Sequence, residues 1–224
     1  QRMVRAQQGF AQWRGQDVDA RVVVLRTMAA VLRQNAARYS EAITQEMGKL
    51  RGEANAEIEK CAMLCEWYAE HGPAMLADEP APMDGATAYV SYLPLGTVLG
   101  IMPWNFPFWQ VMRAAVPILL GGNGFMLKHA RNVMGCAFLL EQAWLDAGLP
   151  VGVFSVIHVP SSQVEEVLGD ARIAAVTLTG SGGAGAAVAA QAGKLCKKSV
   201  LELGGSDPFI VLADADIDAA VEAG

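Results

Sequence analysis

From residue 98 onward the chain repeats one rhythm, a short apolar run followed by a segment of helical periodicity, and no other feature narrows its fold so far. Val98–Met102 and Gly124–Lys128 are runs of the kind a buried parallel strand shows, and Trp109–Leu120 and Val133–Ala147 read as the helices that follow them. Val153–Ile157, Val164–Leu168, Ala174–Leu178, Ala184–Ala192, Val200–Glu202 and Phe209–Leu212 continue the pattern. Strand, helix, strand, helix predicts an α/β fold: a doubly wound, Rossmann-like parallel sheet covered on both faces, with ligands beyond the carboxyl ends of its strands. Upstream, Val24, Leu25, Met28, Val31 and Leu32 recur at three- and four-residue steps, which predicts two amphipathic helices over residues 17–40 and 41–71. Gly48 and Gly52 frame a break, and Gly72-Pro73 stops the second helical run. Residues 79–85 read as a linker rich in Pro, Asp and Gly, and Thr87–Leu95 as an extended segment.

With 224 residues, 53% hydrophobic and 18% charged, the chain has apolar material for one substantial core and corresponds to one large domain or one and a half. Gln1 stands where a start methionine would, and Ala213–Val221 reads as a helix cut off near Gly224, so the expectation is a domain incomplete at both ends. A net charge of −6 and no basic patch argue against a nucleic-acid partner, because such binding needs a dense Lys/Arg footprint. The longest apolar stretch, Ala114–Leu127, is broken by Pro117, Gly121, Gly122, Asn123 and Gly124 and falls short of the roughly 20 residues of a spanning helix. No membrane segment and a cytoplasmic location are therefore expected. Cys61, Cys65, Cys136 and Cys196 form no C-x-x-C pair, and His71, His129 and His158 are scattered, so neither a metal site nor a disulfide framework is signalled. Cys61 and Cys65, four apart on a helix, read as packing residues.

Three clusters fall at predicted strand ends. Gly180-Ser181-Gly182-Gly183-Ala184-Gly185 lies between an apolar run and a helix, where glycines allow a tight turn and backbone N–H groups at a helix start can meet a phosphate. It satisfies G-x-G-x-x-G by letter, with Glu202 where a ribose-binding acid would sit, and it also suits a ligand-free turn. Pro103-Trp104-Asn105-Phe106-Pro107 holds an amide between two prolines, either as a preorganised oxyanion donor or as an Asx-type turn. Leu201-Glu202-Leu203-Gly204-Gly205 puts a carboxylate at a strand end among apolar neighbours; burial there would raise its pKa toward that of a general base, and a solvated glutamate is the alternative.

Taken together in order and spacing, these clusters, with Glu46-Met47-Gly48-Lys49, Pro94-Leu95-Gly96, Leu127-Lys128 and Asp207-Pro208, resemble the aldehyde dehydrogenase superfamily over the whole chain. The segments EWYAEHGPAML, PWNFPFWQVMR, LKHA, NVMGCA and KKSVLELGGSDPFIVL are more specifically similar to its bacterial succinate-semialdehyde dehydrogenases. The resemblance implies NAD(P)-dependent oxidation of an aldehyde, with NAD or NADP as cofactor. It makes Asn105 the donor to a thiohemiacetal oxyanion and Glu202 the base that activates the deacylating water. Lys128 would bond the adenosine ribose, Gly180 and Ser181 would meet the pyrophosphate, and Gly185 would close the turn. Ile101, Met102, Pro103 and Trp104 would line the cofactor cleft, with His129, Ala130, Arg131 and Leu203 also at the cofactor.

Arg113, eight residues after Asn105, would pair with the far carboxylate of a semialdehyde substrate, with Trp109 in the substrate tunnel; a solvent-facing arginine is the alternative. At Arg131 NAD-preferring relatives often carry a glutamate, so its replacement permits NADP while leaving the choice open. The nucleophilic cysteine of the family falls past Gly224, so the fragment by itself should be inactive. Residues 84–97 correspond to the oligomerisation strand of the family, which implies a homo-oligomer of a 1–224 cofactor-binding domain. Two rivals stay open: a common Rossmann-type dehydrogenase with Glu202 on the ribose, and a non-catalytic nucleotide-binding module.

Overall fold

A computed structural model of the chain describes residues 1–223. Four helices lead: α1 (Arg2–Trp13), α2 (Val18–Gln34), α3 (Ala36–Met47) and α4 (Arg51–Met75). Asp17 caps α2 by accepting from the Ala20 N–H at 2.7 Å, and Gly48 ends α3 in the left-handed region at φ 79°, where a side chain would be strained. A two-residue hairpin pair, β1 (Glu79–Pro80) and β2 (Tyr89–Val90), precedes the main sheet. The sheet and its connections follow as β3 (Thr97–Met102), α5 (Trp109–Leu120), β4 (Gly124–His129), α6 (Met134–Asp146), β5 (Phe154–Val156), α7 (Val164–Gly169), β6 (Ile173–Gly180), α8 (Gly182–Lys194) and β7 (Lys198–Leu203). A last helix, α9, spans Ile217–Ala223.

The five strands lie in the order β5-β4-β3-β6-β7 and are all parallel. The chain winds outward from β3 through β4 to β5, then returns to build β6 and β7 on the other side. The order therefore reverses between β3 and β6, and the crevice beyond their carboxyl ends is where a doubly wound sheet takes its ligand.

Two apolar cores sandwich the sheet. On one face Phe125, Leu127 and Met102 pack under α5 and α6, with α2, α3 and α4 as an outer layer that buries Leu25, Met28, Leu32, Tyr39, Ile43 and Ile58. On the other, Leu99, Met126, Val176 and Leu178 meet α1, α7 and α8 through Ala6, Leu168, Val188 and Ala192. Each fully buried Leu or Met contributes about 1.5–3 kcal/mol over its exposed state, which is why an α/β sheet needs both coverings.

Several local expectations are corrected. The predicted helix over 17–40 is divided at Asn35, whose amide folds back onto the Val31 carbonyl at 2.9 Å, and α1 lies upstream of it. Pro73 does not stop α4, which runs on to Met75; in a last turn proline forfeits one backbone bond and little else. Of Thr87–Leu95 only Tyr89 and Val90 pair, and Phe209–Leu212, exposed throughout, forms no strand among the described residues because no neighbouring backbone meets it. The terminal helix starts at Ile217, not Ala213, behind Asp216, whose carboxylate accepts from the Ala219 N–H at 3.2 Å. Among the described residues no helix is long and apolar enough to cross a membrane.

Candidate active site

Strand register distributes the candidate residues between the two faces before any loop is considered. In a parallel pair, partners point to the same side and successive residues alternate. Ile101 is in register with both Lys128 and Leu178, so Lys128 rises on the α7/α8 face. Met102 and His129, one residue on, turn to the α5 face. Thr179 is paired with Glu202 and Gly180 with Leu203, which puts Glu202 on the α5 face as well.

On the α7/α8 face a cleft of about 400 Å³ is lined by Ile101, Lys128, Ser161, Ser162, Glu165 and Leu178, with the flank of α8 from Ala184 to Lys194. Lys128 is buried, and burial pushes its ammonium below the usual lysine range, with Arg131 nearby adding to the effect. It has no carboxylate partner among the described residues. A desolvated, unpaired cation in a cleft is a site for acceptor oxygens.

Beside this cleft α8 begins. Ser181 is its N-cap, the hydroxyl accepting from the Ala184 N–H at 3.3 Å. A Cβ at Gly182 or Gly183 would meet nothing within 4 Å, so no packing demands glycine there, whereas one at Gly185 would lie 2.5 Å from a Leu203 methyl. Gly185 thus lets α8 approach β7, and the bare backbone of Gly182 and Gly183 faces open space at the positive end of the helix. The residues therefore fit a dinucleotide with its pyrophosphate at the helix start and its adenosine beside Lys128.

A second, more open cleft of about 410 Å³ lies over the strand ends, lined by Pro103, Trp104, Asn105, Gln110, Thr179, Gly180, Ser181, Glu202, Leu203 and Gly204. It shares no lining residue with the first. Asn105 is exposed, as are Trp104 and Phe106. Gln110 also lines this cleft, and its buried Oε1 has no hydrogen-bond partner among the described residues. Glu202 is not buried in the way its apolar neighbours suggested: its side chain is 53% exposed, and Oε2 stands 3.3 Å from the Arg113 guanidinium. Among the described residues β7 is an edge strand of the sheet. Arg113 also reaches the Thr179 hydroxyl at 3.4 Å. Both contacts are longer than the 2.7–2.9 Å of a charge-assisted bond, so the fork is available to another partner. It opens on a groove of about 330 Å³ whose walls, Leu95, Val98, Pro117, Ile118 and Val200 among them, are largely apolar.

The structure thus brings Asn105, Gly180, Ser181, Glu202 and Leu203 around one cleft and Ile101 and Lys128 to the other. Seven expected residues line neither: Arg113, which opens on its own groove, Gly185, which packs against Leu203, Ala130, and the four that follow. Met102 is buried. His129 is buried too, with both ring nitrogens bonded to protein, so only its backbone is left for a ligand. Trp109 packs its ring under the Lys60 ammonium, 3.9 Å from the ring centre, and does not line the Arg113 groove. Arg131 is exposed in the short 3₁₀ turn before α6. Ser161, Ser162 and Glu165 were missed; the only sequence signal was their place after β5, at the same end of the sheet. Among the described residues no group of three or more His, Cys, Asp or Glu is placed to hold a metal.

The sequence model of the aldehyde dehydrogenase family matches residues 1–224. The chain is 56% identical over 215 residues to the succinate semialdehyde dehydrogenase Sad of Escherichia coli, described as using NAD(P)+, covering 96% of this chain and 46% of that protein. It is 45% identical over 217 residues to a probable NADP+ succinate-semialdehyde dehydrogenase of Synechocystis, covering 97% of this chain and 48% of that one. Among solved structures, succinic semialdehyde dehydrogenase from Streptococcus pyogenes in complex with NADP+ superposes with a TM-score of 0.92 at 38% identity, over 97% of this chain and 48% of that chain. The chain spans about half the length of these relatives.

Proposed function

The chain belongs to the aldehyde dehydrogenase family, and from that premise we propose that it binds NADP or NAD and supplies Asn105 and Glu202 to the oxidation of succinate semialdehyde to succinate. The observation that carries this reading is the meeting of Asn105, Gly180, Ser181 and Glu202 around one cleft at the switch point of the sheet. The relatives named above, semialdehyde dehydrogenases that use NADP, point the same way.

When bound, the nicotinamide accepts the hydride. Lys128 would hold the adenosine side through ribose oxygens, and Gly182 and Gly183 would leave the α8 N-terminus open to the pyrophosphate. Arg131 presents no negative charge that would repel a 2′-phosphate, which favours tolerance of NADP. Asn105, fixed between two prolines, would donate its amide to the oxyanion that forms when a thiolate adds to the aldehyde. Glu202 would take a proton from the water that hydrolyses the resulting thioester. Glu202 lies on the opposite face of the sheet from Lys128, which favours this role over a bond to the same ribose.

We infer that the thiol nucleophile is not among these residues. Cys61, Cys65 and Cys136 are buried, and burial pushes their thiols well up, away from the reactive thiolate. Cys196 precedes β7 and so lies at the far end of the sheet from Asn105. The chain alone is therefore proposed to be inactive, and residues 84–97 are proposed to serve oligomerisation, a role their exposed Tyr89, Tyr92 and Leu93 side chains support.

Arg113 tests the substrate. A charge-assisted bond to a carboxylate is worth roughly 1.5–3 kcal/mol, so in the intact protein Arg113→Ala should lower kcat/KM for succinate semialdehyde by about tenfold or more and spare an uncharged aldehyde of similar length. Equal losses on the two aldehydes would refute the assignment.

A further inference from the structure

We propose that Lys49, Glu57 and His129 are positioning residues that hold the Asn105 loop from beneath. The proposal rests on the reading of Asn105 as oxyanion donor. Asn105 lies on the exposed stretch between β3 and α5. Its three successors are each gripped by a group that reaches neither cleft.

Glu57 of α4, its side chain 1% exposed, accepts the Phe108 N–H at 2.8 Å and the Trp109 N–H at 3.0 Å through one carboxylate oxygen. This places an anion at the N-terminus of α5, where the helix dipole favours it and the first N–H groups need partners. The other oxygen meets the Lys49 ammonium at 2.5 Å. That ammonium also sits 3.5 Å from the centre of the Phe106 ring, a cation–π contact. From the opposite side His129 holds Pro107. Its Nε2 is 2.9 Å from the Pro107 carbonyl, while Nδ1 accepts the Ala130 N–H at 3.0 Å. Nδ1 also lies 3.2 Å from the Met102 carbonyl, so backbone groups occupy both ring nitrogens. Phe106, Pro107 and Phe108 are thus fixed by three side chains drawn from the α3–α4 turn, α4 and β4.

Such an arrangement is poorly explained as a device for stability alone, because a buried ion pair often contributes little more than well-packed apolar residues would. What it fixes is direction. Misplacing a reacting group by about 1 Å can cost on the order of 10²-fold in rate.

The test uses the intact protein with Glu57→Gln, Lys49→Met and Lys49→Arg. In Glu57→Gln, hydrogen exchange at Phe108 and Trp109 should rise by about tenfold or more while β4 and α8 stay unchanged. The kcat should fall by about tenfold or more, with the Kd for NADP and the KM for the aldehyde within about twofold. Lys49→Arg, which keeps the pairing and the ring contact, should recover more of kcat than Lys49→Met. Unchanged exchange in the loop, an equal rise across β4 and α8, or Lys49→Arg no better than Lys49→Met would overturn the proposal. A wild-type protein that oxidises no aldehyde would remove the functional reading instead, and the exchange pattern would still decide the cradle.

Discussion

At the scale of single residues, two neighbours on β4 show how alternation assigns opposite tasks. Lys128 faces a cleft and pairs with no carboxylate among the described residues, and His129, one residue later, is sealed in the other core. Lys128→Met should therefore weaken NADP by about tenfold or more, since it removes a charge-assisted contact. The same change should raise the melting temperature of the ligand-free protein, because the unpaired buried charge is gone. A lower melting temperature with unaltered NADP binding would count against that placement. His129 carries the pH signal: burial holds its imidazole below the ordinary value of 6.5, with the Pro107 and Met102 carbonyls and Glu46 opposing. With the folded pKa depressed, the unfolded chain takes up the proton first. The stability this group confers is present above about pH 6.5 and is lost as pH falls through the folded value. Melting temperature measured downward from neutral pH should drop more steeply in the wild type than in His129→Gln, whose amide can still donate to Pro107. Parallel curves would place the acid sensitivity elsewhere.

At the scale of elements, β3 is shaped by what lies beside it. A Cβ at Gly100 would sit 2.2 Å from the Phe125 ring, which is itself buried and stacked on Phe154 with centroids 5.6 Å apart. That ring has nowhere to go, so Gly100→Ala should destabilise the protein by about 1–3 kcal/mol in denaturant titration. Gly183→Ala, with open space around its Cβ, serves as the tolerated control. A harmless Gly100→Ala would contradict the close β3–β4 packing. α5 is clamped at both ends: Glu57 takes its first N–H groups, and Arg21 donates to the Leu120 carbonyl at 3.1 Å while Trp13 donates to that of Leu119 at 2.8 Å. None of this was legible in the sequence. A glutamate and an arginine on amphipathic helices read as solvent-facing, and only tertiary contact turns them inward. By contrast Asn105, Gly180 and Glu202 were legible because prolines, glycines and strand ends are local signals. The apolar run Phe209–Leu212 misled for the same reason in reverse, since a strand needs a neighbour that its own residues cannot specify.

At the scale of the whole molecule, a sheet that reverses its winding between β3 and β6 gathers distant parts of the chain at one edge. Asn105 follows β3, Ser181 follows β6 and Glu202 closes β7, and the register that pairs Thr179 with Glu202 sets that carboxylate beside Arg113. The face it occupies is the feature that separates a deacylating base from a ribose ligand. Glu202→Gln decides between them in the intact protein. If Glu202 is the base, NADP should bind with an unchanged Kd. Rapid mixing with succinate semialdehyde should then give one burst of reduced cofactor per site, with steady turnover after it slowed by about 10²–10⁴-fold. A variant that binds the cofactor poorly and gives no burst would contradict the account and return Glu202 to the ribose.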